Sequence, residues 1–511
     1  MNMDQTDFQW VCDQAREAML LQTVADLLEW DERTGMPIGG GDYRAQQVSH
    51  LRGKVHRLRT SEKYGETLLR LSESLPQGHD LASDAPATIR GLTRHWNRDH
   101  RLPDDLVERT ARATVKGQQA WDAARKADDF SMFRDALAEV LVLKREAGER
   151  IAEGTDRSVY EALLDEYEPD ARVHHLNRVF AELRTPLVRL IDQIRGASQQ
   201  PNRELLERDY PVDIQRRLSR FVAEQVGFDF QRGRLDETSH PFCTTLGPSD
   251  CRILSRYDAN WLPGGLLGTL HEAGHGMYEQ GLRSDWFGLP PGSYCSLGIH
   301  ESQSRLWENQ VGRSRAFWQW LFEHTKEMFG STLADVSLDD FHFAINQVQP
   351  SLIRVEADEA TYNLHIIIRF DLEQQLIDGS LSVDDLPEAW NARYQSDLGI
   401  CPPSAADGVL QDVHWSAGLI GYFPTYTLGN LASAQLYDAV KDQIEGLEEG
   451  FSEGHFQPLL AWLRSKVHER GQCESGNQIV ENATGKPLCA ESLIGYLQNK
   501  LGNLYGLKSP G

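Results

Sequence analysis

The stretch Leu270-His271-Glu272-Ala273-Gly274-His275 constrains this chain more than any other, because it ties a helix to a chemistry. At 3.6 residues per turn, His271 and His275 project from one helix face, a turn apart. Two neutral imidazoles at that spacing suit zinc, and Glu272 beside them can face an ion-bound water without being a ligand. An open zinc site needs three protein ligands, so one is missing from the motif. The flanks favour a helix. Trp261-Leu262-Pro263-Gly264-Gly265 punctuates the chain where Pro suits a first turn, and Gly281 is a stop signal. Between them Leu266, Leu267, Leu270, Gly274, Met277 and Tyr278 form an apolar or small stripe. Two histidines on a core helix also occur as simple hydrogen-bonding residues, but the complete motif on a helix favours a catalytic metal.

The remainder of the chain bounds this reading. Its 511 residues suggest ~3 domains or one large helical body, and a chain this long buries ~75% of its unfolded surface without disulfide staples. A net charge of −24 argues against nucleic acid or an anionic membrane as partner. Seven scattered cysteines with no CxxC pair fit free thiols in a reducing compartment. Met1-Asn2-Met3-Asp4-Gln5 lacks the basic and apolar regions of a signal peptide, and no apolar run approaches the ~20 residues that span a bilayer. The expected location is the cytoplasm, where the sequon at Asn482 is accidental.

Taken in order, residues 4–29 read as an amphipathic helix, followed by Trp30-Asp31 and a flexible Gly39-Gly40-Gly41 turn without phosphate-loop spacing. Residues 42–232 read as helix after helix, broken at Pro76, Pro86, Pro103, Gly154, Pro169 and Pro201, with solvated charge on the outer faces. Residues 203–227 form the last of these. Residues 228–236 and 251–257 read as short strands of a hairpin beside the motif helix, with His240-Pro241-Phe242 in the polar segment between them. Further helices are expected over 296–329, 352–378, 384–398, 425–445 and 451–469. There is no repeat and no linker, so the expectation is one mainly α body over 1–511, with a helical half to about 227 and a metal-site half from about 228.

Glu301 is the preferred third ligand, as an acid on the next helix after a reversing loop; His300, Glu308 and Asp358 are the alternatives. Bound zinc lowers the pKa of its water to ~7, and Glu272 can take that proton and pass it to a leaving amine. His240, Tyr422 and Tyr426 are candidate donors to an oxyanion. Arg252 and Arg354 are candidates for a peptide's terminal carboxylate. Asp358 and Glu359 are candidates for holding a ligand histidine from behind.

Several further segments are shared with a known family. HEAGH, His300-Glu301-Ser302-Gln303, Ile353-Arg354 with Ala357-Asp358, and Gly421-Tyr422-Phe423-Pro424-Thr425-Tyr426 together resemble the carboxypeptidase Taq family of metallocarboxypeptidases. His240-Pro241-Phe242, Asp250-Cys251-Arg252, Trp30-Asp31, the segment 160–169 and Gln411-Asp412-Val413-His414-Trp415-Ser416 extend the similarity over nearly the whole chain. The resemblance implies a largely α-helical, saddle-like fold with a deep groove, of neurolysin-like architecture, usually homodimeric. It implies zinc, or cobalt in some members, held by His271, His275 and Glu301, with Glu272 as acid/base. It favours Arg354 and the tyrosines of 421–426 as substrate contacts. The family pattern has threonine where this chain has Leu254, which removes a hydroxyl expected near the substrate rim. The expected activity is removal of single residues from peptides with a free C-terminus. An oligopeptide endopeptidase with the same machinery, and a metal-bearing peptide-binding protein without turnover, are the alternatives; intact Glu272 speaks against the last.

Overall fold

The computed structural model describes residues 3–75 and 82–507. Its elements are mostly helices, with one small sheet just before the motif helix. They gather into two compact units, each drawn from three stretches: Met1–His100, Asn202–Ile345 and Gln435–Pro487 in the first, and Arg101–Pro201, Asn346–Ala434 and Leu488–Gly511 in the second. No helix among the described residues is long and apolar enough to cross a membrane.

The first helix, Gln5–Thr34, is started by Asp4, whose carboxylate accepts from the Thr6 and Asp7 amides. It buries Val11, Ala15, Ala18 and Ala25 as the spacing predicts, but runs past residue 29 because nothing stops it before Gly35. The triple glycine is not a loose turn. A 3-10 turn, Ile38–Gly40, leads directly into the helix Gly41–Thr60. Pro86 sits in the first turn of Asp84–His100, where a missing N–H costs nothing, so it opens a helix instead of breaking one. Pro76 lies outside the described residues.

The sheet has three strands, β1 (Gly233–Glu237), β2 (Phe242–Gly247) and β3 (Asp250–Ser255), in the order β1-β3-β2. β1 pairs with β3 in parallel, whereas β2 and β3 form the hairpin. The hairpin expected between 228–236 and 251–257 is therefore not formed: those segments pair in parallel, and the hairpin partner of β3 is β2, which begins immediately after Pro241, where proline breaks no ladder bond. Leu254 is wholly buried on β3 opposite Phe242. Its position belongs to the sheet's core, so no hydroxyl is missing from an exposed rim.

The motif helix spans Leu262–Gly281 with Pro263 in its first turn. Two glycines let neighbours reach its backbone. A Cβ on Gly276 would fall 2.6 Å from the Phe228 ring and 3.0 Å from Ile253 of β3. A Cβ on Gly274 would fall 2.6 Å from the Gln303 carbonyl and 2.7 Å from the Ser304 Cα, both on the next helix, Leu297–Arg305.

Several long helical patterns are interrupted. The stretch 296–329 comprises Leu297–Arg305, a π turn Leu306–Val311, and Arg315–Phe329 capped by Ser314. Of the stretch 352–378, Arg354–Glu356 forms a 3-10 turn and the α-helix begins only at Tyr362, its start capped by the Asp358 carboxylate, which accepts from the Ala360 and Thr361 amides. Pro211 delays the helix expected from 203 to Val212–Val226. Gly454, at φ +81°, separates Leu447–Ser452 from Gln457–Lys466.

Gly274→Ala tests the helix contact. The added methyl meets backbone that cannot rotate away, and overpacking of this kind costs about 1–3 kcal/mol. The urea unfolding midpoint should fall accordingly, and an unchanged midpoint would show that the two helices are free to separate.

Candidate metal centre

Three side chains of the first unit converge. His271 and His275 project from successive turns of the motif helix, and Glu301 from the Leu297–Arg305 helix, which Ser296 caps. Glu301 Oε2 lies 3.7 Å from His271 Nε2 and 3.4 Å from His275 Nε2. One donor atom from each residue falls within 4.8 Å of the others. Donors held at ~2.1 Å by a tetrahedral ion stand ~3.4 Å apart, so this set fits zinc with little adjustment.

The far sides of the rings decide which nitrogens are free. His271 Nδ1 lies 2.9 Å from Glu308 Oε2, and His275 Nδ1 lies 3.1 Å from the His300 carbonyl. Both partners accept, so each Nδ1 carries the proton and each Nε2 turns its lone pair toward Glu301. Arg305 joins the acids: its Nε donates to Glu301 Oε1 at 2.7 Å and its Nη1 to Glu308 Oε2 at 3.1 Å. The π turn carries Glu308 to this position. Glu308 is one of the ligand alternatives, and it stands behind His271. His300, another, points its ring away: Nε2 lies 2.9 Å from Glu279 Oε1, and Thr245 of β2 donates to Glu279 Oε2 at 3.0 Å. Glu279 was not anticipated, although its place four residues after His275 puts it on the same helix face.

The charges are strongly coupled. Burial raises the Glu301 carboxyl, but Arg305, His271 and His275 outweigh it and hold Glu301 well below the usual range. Glu308 is likewise held down to about 2, with burial opposed by Arg305 and His271. Burial, with His300, drives His275 down to about 3. Burial also works against charge on His271, yet Glu301 and Glu308 prevail and its pKa rises. A proton favoured there is one that a cation displaces on binding. Glu272 differs from its neighbours: burial lifts it to about 7, His271 opposing and Glu301 adding. Its Oε2 is buried with no hydrogen-bonding partner among the described residues.

The remaining candidates are placed as follows. His240 is exposed in the turn before β2. Arg252 holds Asp250 through two bonds of 2.9 Å and lies 4.2 Å over the Trp30 ring. In the second unit, Arg354 is buried, donating to Asp412 Oδ1 from Nε at 3.0 Å and Nη2 at 2.8 Å, and from Nη1 to the Tyr362 hydroxyl at 3.0 Å. Arg369 takes the other Asp412 oxygen at 2.6 Å. The Tyr426 ring centre lies 5.1 Å from the Arg354 guanidinium and 5.5 Å from the Tyr422 ring centre, and His414 Nε2 lies 3.2 Å from the Tyr426 hydroxyl. Asp412 and Arg369 had been given no role, since nothing in their spacing marks a pair that forms only on folding.

Asp358 and Glu359 do not hold a histidine. Asp358 caps its own turn and accepts from the Gln349 amide, and Glu359 pairs with Lys500 at 2.6 Å. Each carboxylate is occupied by a nearer donor, and the rings are oriented by Glu308 and the His300 carbonyl instead.

With this geometry in view, a family model described as carboxypeptidase Taq (M32) metallopeptidase matches residues 11–501. "Thermostable carboxypeptidase 1" of Thermus thermophilus is 44% identical, covering 96% of this chain and 97% of that protein. "Carboxypeptidase 1" of Bacillus subtilis is 37% identical, covering 94% and 95%. The crystal structure of an M32 carboxypeptidase from Deinococcus radiodurans superposes with a TM-score of 0.94 at 38% identity, covering 98% of this chain and 100% of that one.

Glu308→Gln removes the charge behind His271 and keeps the shape. Contacts of this kind are worth ~10–100-fold in metal affinity, so competition with a chelator should show weakening in that range. An unchanged affinity would remove Glu308 from the site.

Proposed function

The chain belongs to the carboxypeptidase Taq (M32) family of metallopeptidases, and from that premise we propose how its residues perform the reaction. It is a metallocarboxypeptidase, a hydrolase of peptides, and its relatives' names do not favour the endopeptidase alternative. We assign the divalent ion to His271, His275 and Glu301, with zinc as the native metal and cobalt as a competent substitute. We propose that 1–511 acts as one catalytic domain, as a homodimer, in the cytoplasm, where its free cysteines stay reduced.

One observation carries the assignment of roles: two imidazole nitrogens and a carboxylate converge beside a buried glutamate whose Oε2 has no hydrogen-bonding partner among the described residues. When bound, the ion supplies Lewis acidity, polarising the scissile carbonyl and acidifying water. Glu272 accepts the proton of the attacking water at Oε2 and delivers it to the leaving amine nitrogen. Burial favours the protonated carboxyl, which helps Glu272 hold that proton between the two transfers. Glu301 and Glu308 stay ionised, so neither competes for that proton. Arg252 and Arg354 are the proposed contacts for the peptide's terminal carboxylate, and His240, Tyr422 and Tyr426 for the substrate's reacting end. Only a free terminus satisfies such a cation, which limits cleavage to the last residue.

The zinc-loaded enzyme should shorten a defined peptide one residue at a time from its carboxyl end, read by mass, and should leave the C-terminal amide of that peptide intact. Internal fragments, or equal cleavage of the amide, would refute the carboxypeptidase assignment. Glu272→Gln should lose ~10²–10⁴ in kcat while retaining zinc, and wild-type turnover by the purified variant would remove Glu272 from the proton path. Chelation should abolish activity and added zinc restore it.

A further inference from the structure

Glu373, at the centre of the helix Tyr362–Asp378, is wholly buried, and no Lys, Arg or His forms an ion pair with it among the described residues. An isolated buried carboxylate is costly unless hydrogen bonds replace its hydration. Here three do. Oε1 accepts from Trp415 Nε1 at 2.9 Å; Oε2 accepts from the Tyr160 hydroxyl at 2.8 Å and the Gly421 amide at 3.2 Å. Indole and amide N–H groups only donate, so both carboxylate oxygens are needed as acceptors. Burial lifts the carboxyl to about 7, with these same hydrogen bonds holding it down.

The donors come from segments far apart in sequence, and two of them lead directly to proposed substrate contacts. Gly421 precedes Tyr422. It sits at φ +87°, and a Cβ there would fall 2.9 Å from the Leu164 backbone. The chain thus enters the 421–426 turn pinned between Glu373 and the helix Val159–Leu164. Tyr422 continues onto Tyr167 at 5.1 Å and Tyr426 at 5.5 Å. Trp415 follows His414, whose Nε2 meets the Tyr426 hydroxyl.

We propose that Glu373 is a positioning residue: by gathering Tyr160, Trp415 and the Gly421 amide onto one carboxylate, it sets Tyr422 and Tyr426 where the peptide meets them. This rests on the assignment above that those tyrosines contact substrate. Glutamine at 373 would turn an NH2 group toward Trp415 or toward the Tyr160–Gly421 pair, opposing donor to donor and releasing one segment.

The test uses the full-length zinc-loaded enzyme and a peptide with a free C-terminus, with kcat and KM measured separately. A misplacement transmitted from outside the chemistry can cost ~100-fold, so Glu373→Gln should lower kcat/KM by ~10–100-fold while zinc stays at one per chain and unfolding stays cooperative. Tyr160→Phe, which removes a single donor, should act in the same direction but less. Because the tyrosine is already misplaced, adding Tyr426→Phe to Glu373→Gln should cost little more, whereas independent effects would multiply. Wild-type kcat/KM in Glu373→Gln, a loss that only tracks lost zinc or lost folding, or losses that multiply would each overturn the proposal. If Tyr422→Phe and Tyr426→Phe are themselves harmless, the tyrosine assignment fails and takes this proposal with it. Damage from the tyrosine variants beside a normal Glu373→Gln refutes the role of Glu373 alone. Should Glu373→Gln not fold, Tyr160→Phe combined with Tyr426→Phe makes the same comparison.

Discussion

Two buried carboxylates and a third, half-buried one share a small volume of the first unit, and the site depends on how their mutual repulsion is relieved. Glu272 and Glu301 are 6% and 7% exposed, and Glu308 joins them behind His271. Arg305 offsets part of this by bonding Glu301 and Glu308 together. Glu272 stands outside that pairing: burial above all, with Glu301 and Glu308 adding, pushes it toward protonation, while the same two acids favour a proton on His271. The field that makes the metal-free arrangement uncomfortable is the field that draws in a dication. The packing serves that field. Gly274 lets the Leu297–Arg305 helix close enough for Glu301 to reach both histidines, and the π turn sets Glu308 behind one of them.

What could be read in advance was whatever one helix period encodes. The motif helix, its proline start, its apolar stripe and the shared face of His271 and His275 follow from residues within two turns of each other. Glu301 came within reach because only a few acids lie on the following element, and the family resemblance then singled it out. Glu308 was present among the alternatives, but no local rule separates a ligand from the group that orients a ligand's far nitrogen. That distinction needs the ring's rotation, which the packing of a neighbouring helix determines.

The second unit shows the same limit more sharply. Asp412 lies far along the chain from Arg354 and Arg369, and their bonds form only after distant segments meet. Asp358 and Glu359 were misread for the complementary reason: acids beside an arginine motif suggest a functional role, yet Asp358 caps the helix that begins at Tyr362 and Glu359 pairs with Lys500. The helix expected across 352–378 begins only after that same residue, whose carboxylate caps its first turn. β2 escaped notice because Pro241 looks like an interruption when it stands one residue ahead of the strand.

The interleaving of the two units bears on how the chain is made. The first unit takes its last stretch from Gln435–Pro487 and the second from Leu488–Gly511. A nascent polypeptide therefore carries His271 and His275 well before either unit has the last of its three stretches. Domains generally fold as units, and neither unit here is contiguous in sequence. Segments of each unit therefore wait for partners made much later in the chain, with apolar helix faces uncovered in the interval.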